Sequence, residues 1–376
     1  MPKTLSQEEN KQLAISLAPM YGVTDFTTRL FIFLLSSCDK MTTPFLRVTE
    51  TYPHKIPLEW APDIFDDAIK EKLAFQTRLQ MMASCPRRFS EAFKSFESFL
   101  EDVELNCGCP SPKVVSHFAG SSLLRDPEYF SDFVSQIADN IGGDRFCVKM
   151  RTGYDGTEDF DRLIQGLARI PLKQLTIHGR TKADKYSFFS RNDLIHRASL
   201  ILPYPVMASG DVLDRTSFQK AMKEMPNIKG IMIGRGALTN PFVFSEIKDE
   251  NFLRPSDLSY FKEALLCYGL LVQISKDDFS TLKEIILDSD FQESYLDKEE
   301  KWRLLFLELY ERNFKKKFIG KFEGDLDVAT LGRVKLLFAN FVKGLFHSGS
   351  SKEVLRSKNA KDFFFELDLF FKKLVC

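Results

Sequence analysis

The sequence predicts an α/β protein: a parallel (β/α)8 barrel followed by an all-helical bundle. Three observations predict it. Short β-rich runs alternate with amphipathic helical stretches to about residue 245, polar or special residues stand at the C-terminal ends of nearly all these runs, and beyond Pro241 only helical periodicity remains. With 376 residues the chain can hold a barrel of about 250 residues and a second, smaller domain. The boundary falls between a catalytic domain over 1–245 and a helical domain over 246–376, with the junction at 246–255.

The first run, 13–18, ends at Pro19-Met20. The second spans 41–47, and the third, 75–81, carries Gln80 at its end. Runs at 103–106, 146–150 and 174–178 bring Asn106, Lys149 and His178 to their ends. Those at 205–209 and 230–234 lead into Ser209-Gly210-Asp211 and Gly234-Arg235. Helical stretches at 27–35, 90–100, 127–141, 157–168 and 215–224 lie between them. In a closed barrel these strand ends converge on one mouth, where sites are built; in a doubly wound sheet, the competing architecture, they would spread along an edge. The tail has helical periodicity over 257–273, 279–288, 297–313, 326–346 and 352–374.

A composition of 44% hydrophobic and 28% charged residues excludes a disordered chain, and 36 Phe point to a Phe-rich core. The net charge is zero, yet residues 301–376 carry 16 Lys and Arg against 9 Asp and Glu. That fits a nucleic-acid face and equally a solvated helix surface. No apolar run reaches the roughly 18 residues needed to span a bilayer. The polar N-terminus, with Glu8 and Glu9, is unlike a secretory or mitochondrial leader. The expectation is a cytoplasmic protein with no membrane partner, whose seven cysteines serve catalysis or metal before disulfides.

The densest chemical signal is Glu104-Leu105-Asn106-Cys107-Gly108-Cys109-Pro110-Ser111-Pro112. Cys107 and Cys109 are half of a zinc set, but no second pair stands at ligand spacing, so no metal is expected. A disulfide between them would be strained. A loop cysteine acting as nucleophile or acid remains, and Gly108 and Pro110 put Cys109 in the turn. The glycine motifs after the seventh and eighth strands, with Arg235, suit a phosphate-bearing cofactor. Lys149, at a strand end, can stabilise negative charge on a reduced ring. His178 reads as a ring or phosphate contact or as an ordinary core histidine.

Taken together, Leu17-Ala18-Pro19-Met20, Leu105-Asn106-Cys107-Gly108-Cys109-Pro110-Ser111, Val148-Lys149-Met150-Arg151, Ile177-His178-Gly179-Arg180-Thr181 and Ile233-Gly234-Arg235-Gly236 resemble the tRNA-dihydrouridine synthase family, most of all its bacterial C-type subfamily. The resemblance covers residue 13 to about 245, with Gly332-Arg333-Val334-Lys335 as its best match in the tail. It implies a flavoprotein oxidoreductase using FMN and NADPH on tRNA as a monomer, at a D-loop uridine such as position 16. On that likeness Pro19, Met20, Gln80, Lys149 and His178 meet the flavin, and Ser209, Gly210, Asp211, Gly234 and Arg235 hold its phosphate end. Cys109 donates a proton to uracil. Asn106, Arg151, Arg180 and Tyr186 hold the uracil or a neighbouring nucleotide, and Arg333 and Lys335 grip tRNA. One departure is Thr43-Pro44, where the family has Thr-Glu. A different FMN barrel acting on a small pyrimidine or an enoate is the alternative, and an RNA-binding protein without catalysis is a third reading.

Overall fold

The computed structural model of the chain describes residues 13–36, 38–50, 58–73, 75–185, 187–249, 258–288, 326–343 and 351–375. The expected helix over 297–313 and Tyr186 lie outside the described residues. The structure is a closed parallel barrel of eight staves, with a helical C-terminal region.

The staves are β1 (Ala14–Leu17), β2 (Lys40–Thr42) with its continuation β3 (Leu46–Arg47), β4 (Gln76–Met82), β5 (Val103–Cys107), β6 (Phe146–Arg151), β7 (Gln174–His178), β8 (Val206–Ser209) and β9 (Gly230–Ile233). β1 pairs with both β2 and β9, and β2 pairs with β4, so the ring has no free edge. The second strand, expected as one run over 41–47, is two short pieces. Pro44 stands in the gap; it has no N–H to give to a ladder.

Residues two apart on a strand share a face. Leu79, Met81, Val103, Leu105, Val148, Met150, Leu175 and Ile177 are buried on the outward face, beneath the helices. The inward face is polar. At the bottom, Asp102 takes two hydrogen bonds from Arg78, at 2.6 and 3.0 Å, and pairs with Lys40 at 3.0 Å and Lys173 at 2.9 Å. One layer up, Gln80 stands in register with Glu104; above that, Asn106 is in register with Lys149, Arg151 with His178, and His178 with Ser209. The registers place the sequence-predicted residues of β4 to β8 in successive layers around one mouth.

Local signals explain the outer helices. Asp126 accepts from the amides of Glu128 and Tyr129 at 3.0 and 3.1 Å and starts Pro127–Ile141, with Pro127 in its first turn. Asp214 and Ser217 form a capping box for Arg215–Glu224. The helix expected over 90–100 begins earlier, as Pro86–Phe96, and closes in a tight turn at Glu97–Phe99. The one expected over 157–168 is Phe160–Leu167. Pro62–Phe65, Asp67–Leu73 and Asn192–Ile201 are helices that periodicity did not mark.

The chain groups into two compact units: Met1–Asp25 with Cys38–Phe65 and Phe75–Gly234, and Phe26–Ser37 with Asp66–Ala74 and Arg235–Cys376. The first contains every stave. This grouping is drawn differently from a simple cut at 245/246, because two early helical segments cluster with the tail. In the second unit, the hydroxyl of Tyr268 on Leu258–Asp277 lies 3.0 Å from that of Thr28, and Phe338 on Val328–Phe341 meets Phe363 and Phe370 edge-on. The tail expected as one helix over 352–374 is two, Lys352–Arg356 and Ala360–Val375. Ser357 is extended between them, and Asn359 restarts the chain by accepting the amide of Asp362 at 2.8 Å. Among the described residues no helix is long and apolar enough to cross a membrane.

Candidate active site at the barrel mouth

Cys109 is held from both sides. Its amide donates to Asn106 Oδ1 at 2.9 Å, and its carbonyl accepts from the Ser121 amide at 3.2 Å and the Ser121 hydroxyl at 2.8 Å. Gly120 makes that approach possible. Its φ is +62°, and a β-carbon there would stand 2.8 Å from Val114 Cγ1 and 3.2 Å from Cys109 Cβ. The Cys109 thiol is half-buried. Burial pushes its pKa up against the lowering influence of the Ser111 amide and the Arg151 charge. It therefore keeps its proton at neutral pH. Cys107, fully buried beside it, is pushed up further by burial and by Glu104, and has no route to a substrate.

Asn106 is used at both ends: Oδ1 accepts from the Gly108 and Cys109 amides, and Nδ2 donates to Gln80 Oε1 at 2.7 Å. Gln80 Nε2 in turn donates to Glu104 Oε1 at 2.6 Å. Lys149 is half-buried. Burial draws its pKa down to about 8, with Glu104 opposing and Arg151 adding to the shift. Deep placement with part of the surface open is what a side chain lining the barrel interior would show.

Arg151 and Arg180, expected at the uracil, are bound to the chain itself. Arg151 donates to the Gly108 carbonyl at 2.7 Å and the Thr181 carbonyl at 2.9 Å, joining the Cys109 turn to the loop after β7. Arg180 donates to the Phe188 carbonyl at 2.5 Å and to both oxygens of Asp211 at 2.5 and 2.7 Å. Asp211 also accepts the Ser190 amide at 2.7 Å. Its carboxylate thus pins Arg180 and Ser190 of the loop after β7, which gives it a positioning duty beside the expected phosphate one. The same loop carries Phe188 and Phe189, 61% and 87% exposed on a backbone fixed by Arg180 and Asp211. Sequence reading passed over this pair, and also over Ser121 and Ser190, and gave Glu104 no duty of its own within the Cys109 motif. Two adjacent Phe in a polar loop was the available signal.

Around the glycine motifs the donors fit a phosphate-bearing group. Gly210 has φ +135°, and a β-carbon on it would stand 2.8 Å from Ser190 Oγ, a buried hydroxyl with no hydrogen-bond partner. Gly234 faces Ala18 and Met20; a β-carbon there would meet Ala18 Cβ at 3.4 Å and Met20 Sδ at 3.6 Å, filling the cradle. His178 Cδ2 lies 3.5 Å from the same Gly210 position. Arg235, next in the chain and exposed, opens Arg235–Thr239 and groups with the second unit. In that unit Arg333 donates to Thr28 Oγ1 at 2.9 Å and Tyr268 Oη at 2.8 Å, and Lys335 Nζ donates to the Ser357 carbonyl. Both residues expected to grip tRNA are therefore tied to other parts of the chain, Arg333 to the helices Phe26–Leu35 and Leu258–Asp277 and Lys335 to Ser357. Among the described residues no three metal-ligating side chains cluster.

Residues 16–306 match the family model described as dihydrouridine synthase (Dus). The chain belongs to the dihydrouridine synthase family. It is 32% identical over 238 residues to the tRNA-dihydrouridine(16) synthase of Haemophilus ducreyi, which covers 62% of this chain and 73% of that relative. It is 29% identical over 244 residues to the Pasteurella multocida protein of the same name, covering 63% of this chain and 76% of that one. Among solved structures it is similar to the old yellow enzyme of Trypanosoma cruzi, at 10% identity and a TM-score of 0.43, over 65% of this chain and 90% of that one. Family membership and the order of the Cys109, Lys149, His178 and Gly234 motifs agree: all lie within the matched residues.

Proposed function

We propose that this chain is an FMN-dependent oxidoreductase that reduces the C5–C6 double bond of a tRNA uridine, at D-loop position 16, with NADPH as the electron source. The observation that carries the reading is a cysteine with a raised pKa, held at backbone N and O in the mouth of a barrel of this family. The relatives' printed names support the position.

FMN, when bound, supplies the hydride that adds to C6. The chain does the rest. Pro19 and Met20 would pack beside it, Lys149 and His178 would line its ring, and Ser209, Gly210, Ser190, Gly234 and Arg235 would receive its phosphate end. Gln80, expected at the ring, is fully buried with both ends of its amide bonded to Glu104 and Asn106 and does not reach it. Lys149, charged below about pH 8, offsets negative charge on the reduced ring. Hydride at C6 leaves an enolate-like charge over C5 and the C4 oxygen. The Cys109 S–H bond breaks, its proton forms the new C5–H bond, and the thiolate left behind is stabilised by Arg151. Solvent returns the proton. The balance is uridine, NADPH and a proton giving dihydrouridine and NADP.

The base must leave its stack to reach this depth. Asn106, Arg151 and Arg180 shape the pocket for it through the bonds they make to the chain, and Tyr186 is kept in this role by the resemblance alone. Exposed Phe188 and Phe189 offer stacking faces to unstacked neighbours, and Lys185 and Lys113 offer charge to phosphates. Arg333 and Lys335 tie the helix that carries them to neighbouring segments of a tRNA-facing helical domain. The protein acts as a cytoplasmic monomer.

The test is direct. Purified protein, NADPH and unmodified tRNA are incubated and the tRNA is read by mass spectrometry at nucleotide resolution. A gain of about two mass units at one uridine, the addition of a hydride and a proton, supports the reading. A yellow protein inert on every tRNA, yet turning over a small enone or pyrimidine, rejects it.

A further inference from the structure

One fully buried carboxylate takes no part in the proposed reaction. Glu104 Oε1 accepts from Gln80 Nε2 at 2.6 Å; its Oε2 makes no hydrogen bond and faces Arg78 Nη1 at 3.8 Å. That distance is too long for a hydrogen bond but close for a charge. From Glu104 the chain of bonds runs upward through Gln80 Oε1 and Asn106 Nδ2, 2.7 Å apart, to the amides of Gly108 and Cys109 at 3.0 and 2.9 Å.

The direction of every bond in this series is set by its upper end. Backbone amides only donate, so Asn106 must turn its oxygen to Cys109 and its NH2 to Gln80. Gln80 must then turn its oxygen to Asn106 and its NH2 to residue 104. There an acceptor is required, and on its far side residue 104 meets a second donor, the Arg78 guanidinium. A carboxylate has an oxygen for each; a carboxamide has only one.

We propose that Glu104 is a positioning residue for Cys109: it locks Gln80 and Asn106 in one amide orientation and so fixes the turn that aims the thiol. In Glu104→Gln the Arg78 charge draws the single oxygen and leaves an NH2 against the NH2 of Gln80. Gln80 turns over, Asn106 follows, and the Cys109 amide loses its acceptor. Exchanging the pair restores the series. With Gln80→Glu and Glu104→Gln together, Gln at 104 keeps its oxygen toward Arg78 and donates to Glu at 80, whose second oxygen still accepts from Asn106. The total charge is unchanged.

The consequence for turnover rests on Cys109 being the proton donor, but the geometry is read at the thiol itself. Holoenzyme is treated with iodoacetamide at about pH 8, near the range where thiols ionise, and alkylation of Cys109 is followed by peptide mass spectrometry with Cys85 as the reference. The single variant Glu104→Gln is expected to shift the Cys109 rate at least about threefold and to lower kcat about tenfold with the tRNA KM unchanged; the exchanged pair is expected to alkylate at the wild-type rate. A wild-type rate in the single variant overturns the proposal. So does an exchanged pair that fails to fold or fails to restore the rate, and that pair alone decides if the single variant does not fold. Were the wild-type chain inert on tRNA while these rates behaved as stated, the proposed function would fail and the positioning role of Glu104 would stand.

Discussion

The floor and the mouth of the barrel use the same strands and the same residue types to opposite ends. On the floor, Arg78, Lys40 and Lys173 surround Asp102, and every charge is met by an opposite one at 2.6–3.0 Å. Burial alone would raise the Asp102 pKa, yet these three cations hold it well below the usual carboxylate range. Two residues further along β5, Glu104 has one unbonded oxygen and a pKa pushed up by burial, and at the mouth Lys149 is drawn down to about 8. Closely matched charges make a support. Incompletely matched ones leave charge, as at Lys149, to answer a group bound in the mouth.

The largest effect that would break this comparison lies on the floor. Asp102→Asn leaves Arg78 and two lysines without their shared partner, and the expected cost is about 3–5 kcal/mol, the usual penalty for removing one member of a buried ion pair. Urea unfolding measures it. Asp102 is a group with a depressed folded pKa, so its contribution is present above the unfolded value near 3.9 and disappears as pH falls below it. Wild-type stability should therefore drop in acid more steeply than that of the variant. A loss under about 1 kcal/mol would mean that the floor charges are as loosely matched as surface pairs.

A second prediction sharpens the mouth. Lys149 has a lowered pKa, so its charge is present below about pH 8 and lost above it. The rate of uridine reduction should fall as pH rises through that value. In Lys149→Arg, whose guanidinium does not titrate in this range, the fall should move to higher pH, where the Cys109 thiol ionises. Parallel profiles would remove Lys149 from the reaction. The smallest effect belongs to the rim. Phe188→Ser with Phe189→Ser should raise the tRNA KM about tenfold, near the low end of what base stacking contributes, and leave NADPH oxidation in the absence of tRNA unchanged. An unaltered KM would make the two exposed rings incidental.

The staves were legible because each is a short β-rich run ended by a residue with unusual duties; Gln174–His178 was read to the residue. Helices with self-contained starts, such as Pro127–Ile141 behind Asp126 and Arg215–Glu224 behind Asp214, were equally plain. Asn192–Ile201 was not, since its cap position is Arg191, which gives no side-chain cap bond. At the site, Cys109, Lys149 and His178 announced themselves by type and place. The partners of Arg151 and Arg180 did not, because Gly108 and Asp211 lie 43 and 31 residues away from them and only barrel closure brings them together. Glu104 was visible as a letter of the Cys109 motif, but the requirement for a carboxylate emerges only when Gln80, 24 residues earlier, stands beside it.

The central claim is that the mouth delivers a proton from Cys109 to a tRNA uracil. Its most direct test separates the two halves of turnover in Cys109→Ala by stopped flow. The flavin of the variant is first reduced with NADPH, and its reoxidation by tRNA is then followed in a single turnover. Reduction at the wild-type rate with reoxidation slowed about 10²- to 10⁴-fold, the usual worth of a general acid, is the expected result. Reoxidation by tRNA at the wild-type rate would contradict the account and leave Cys109 without a chemical role.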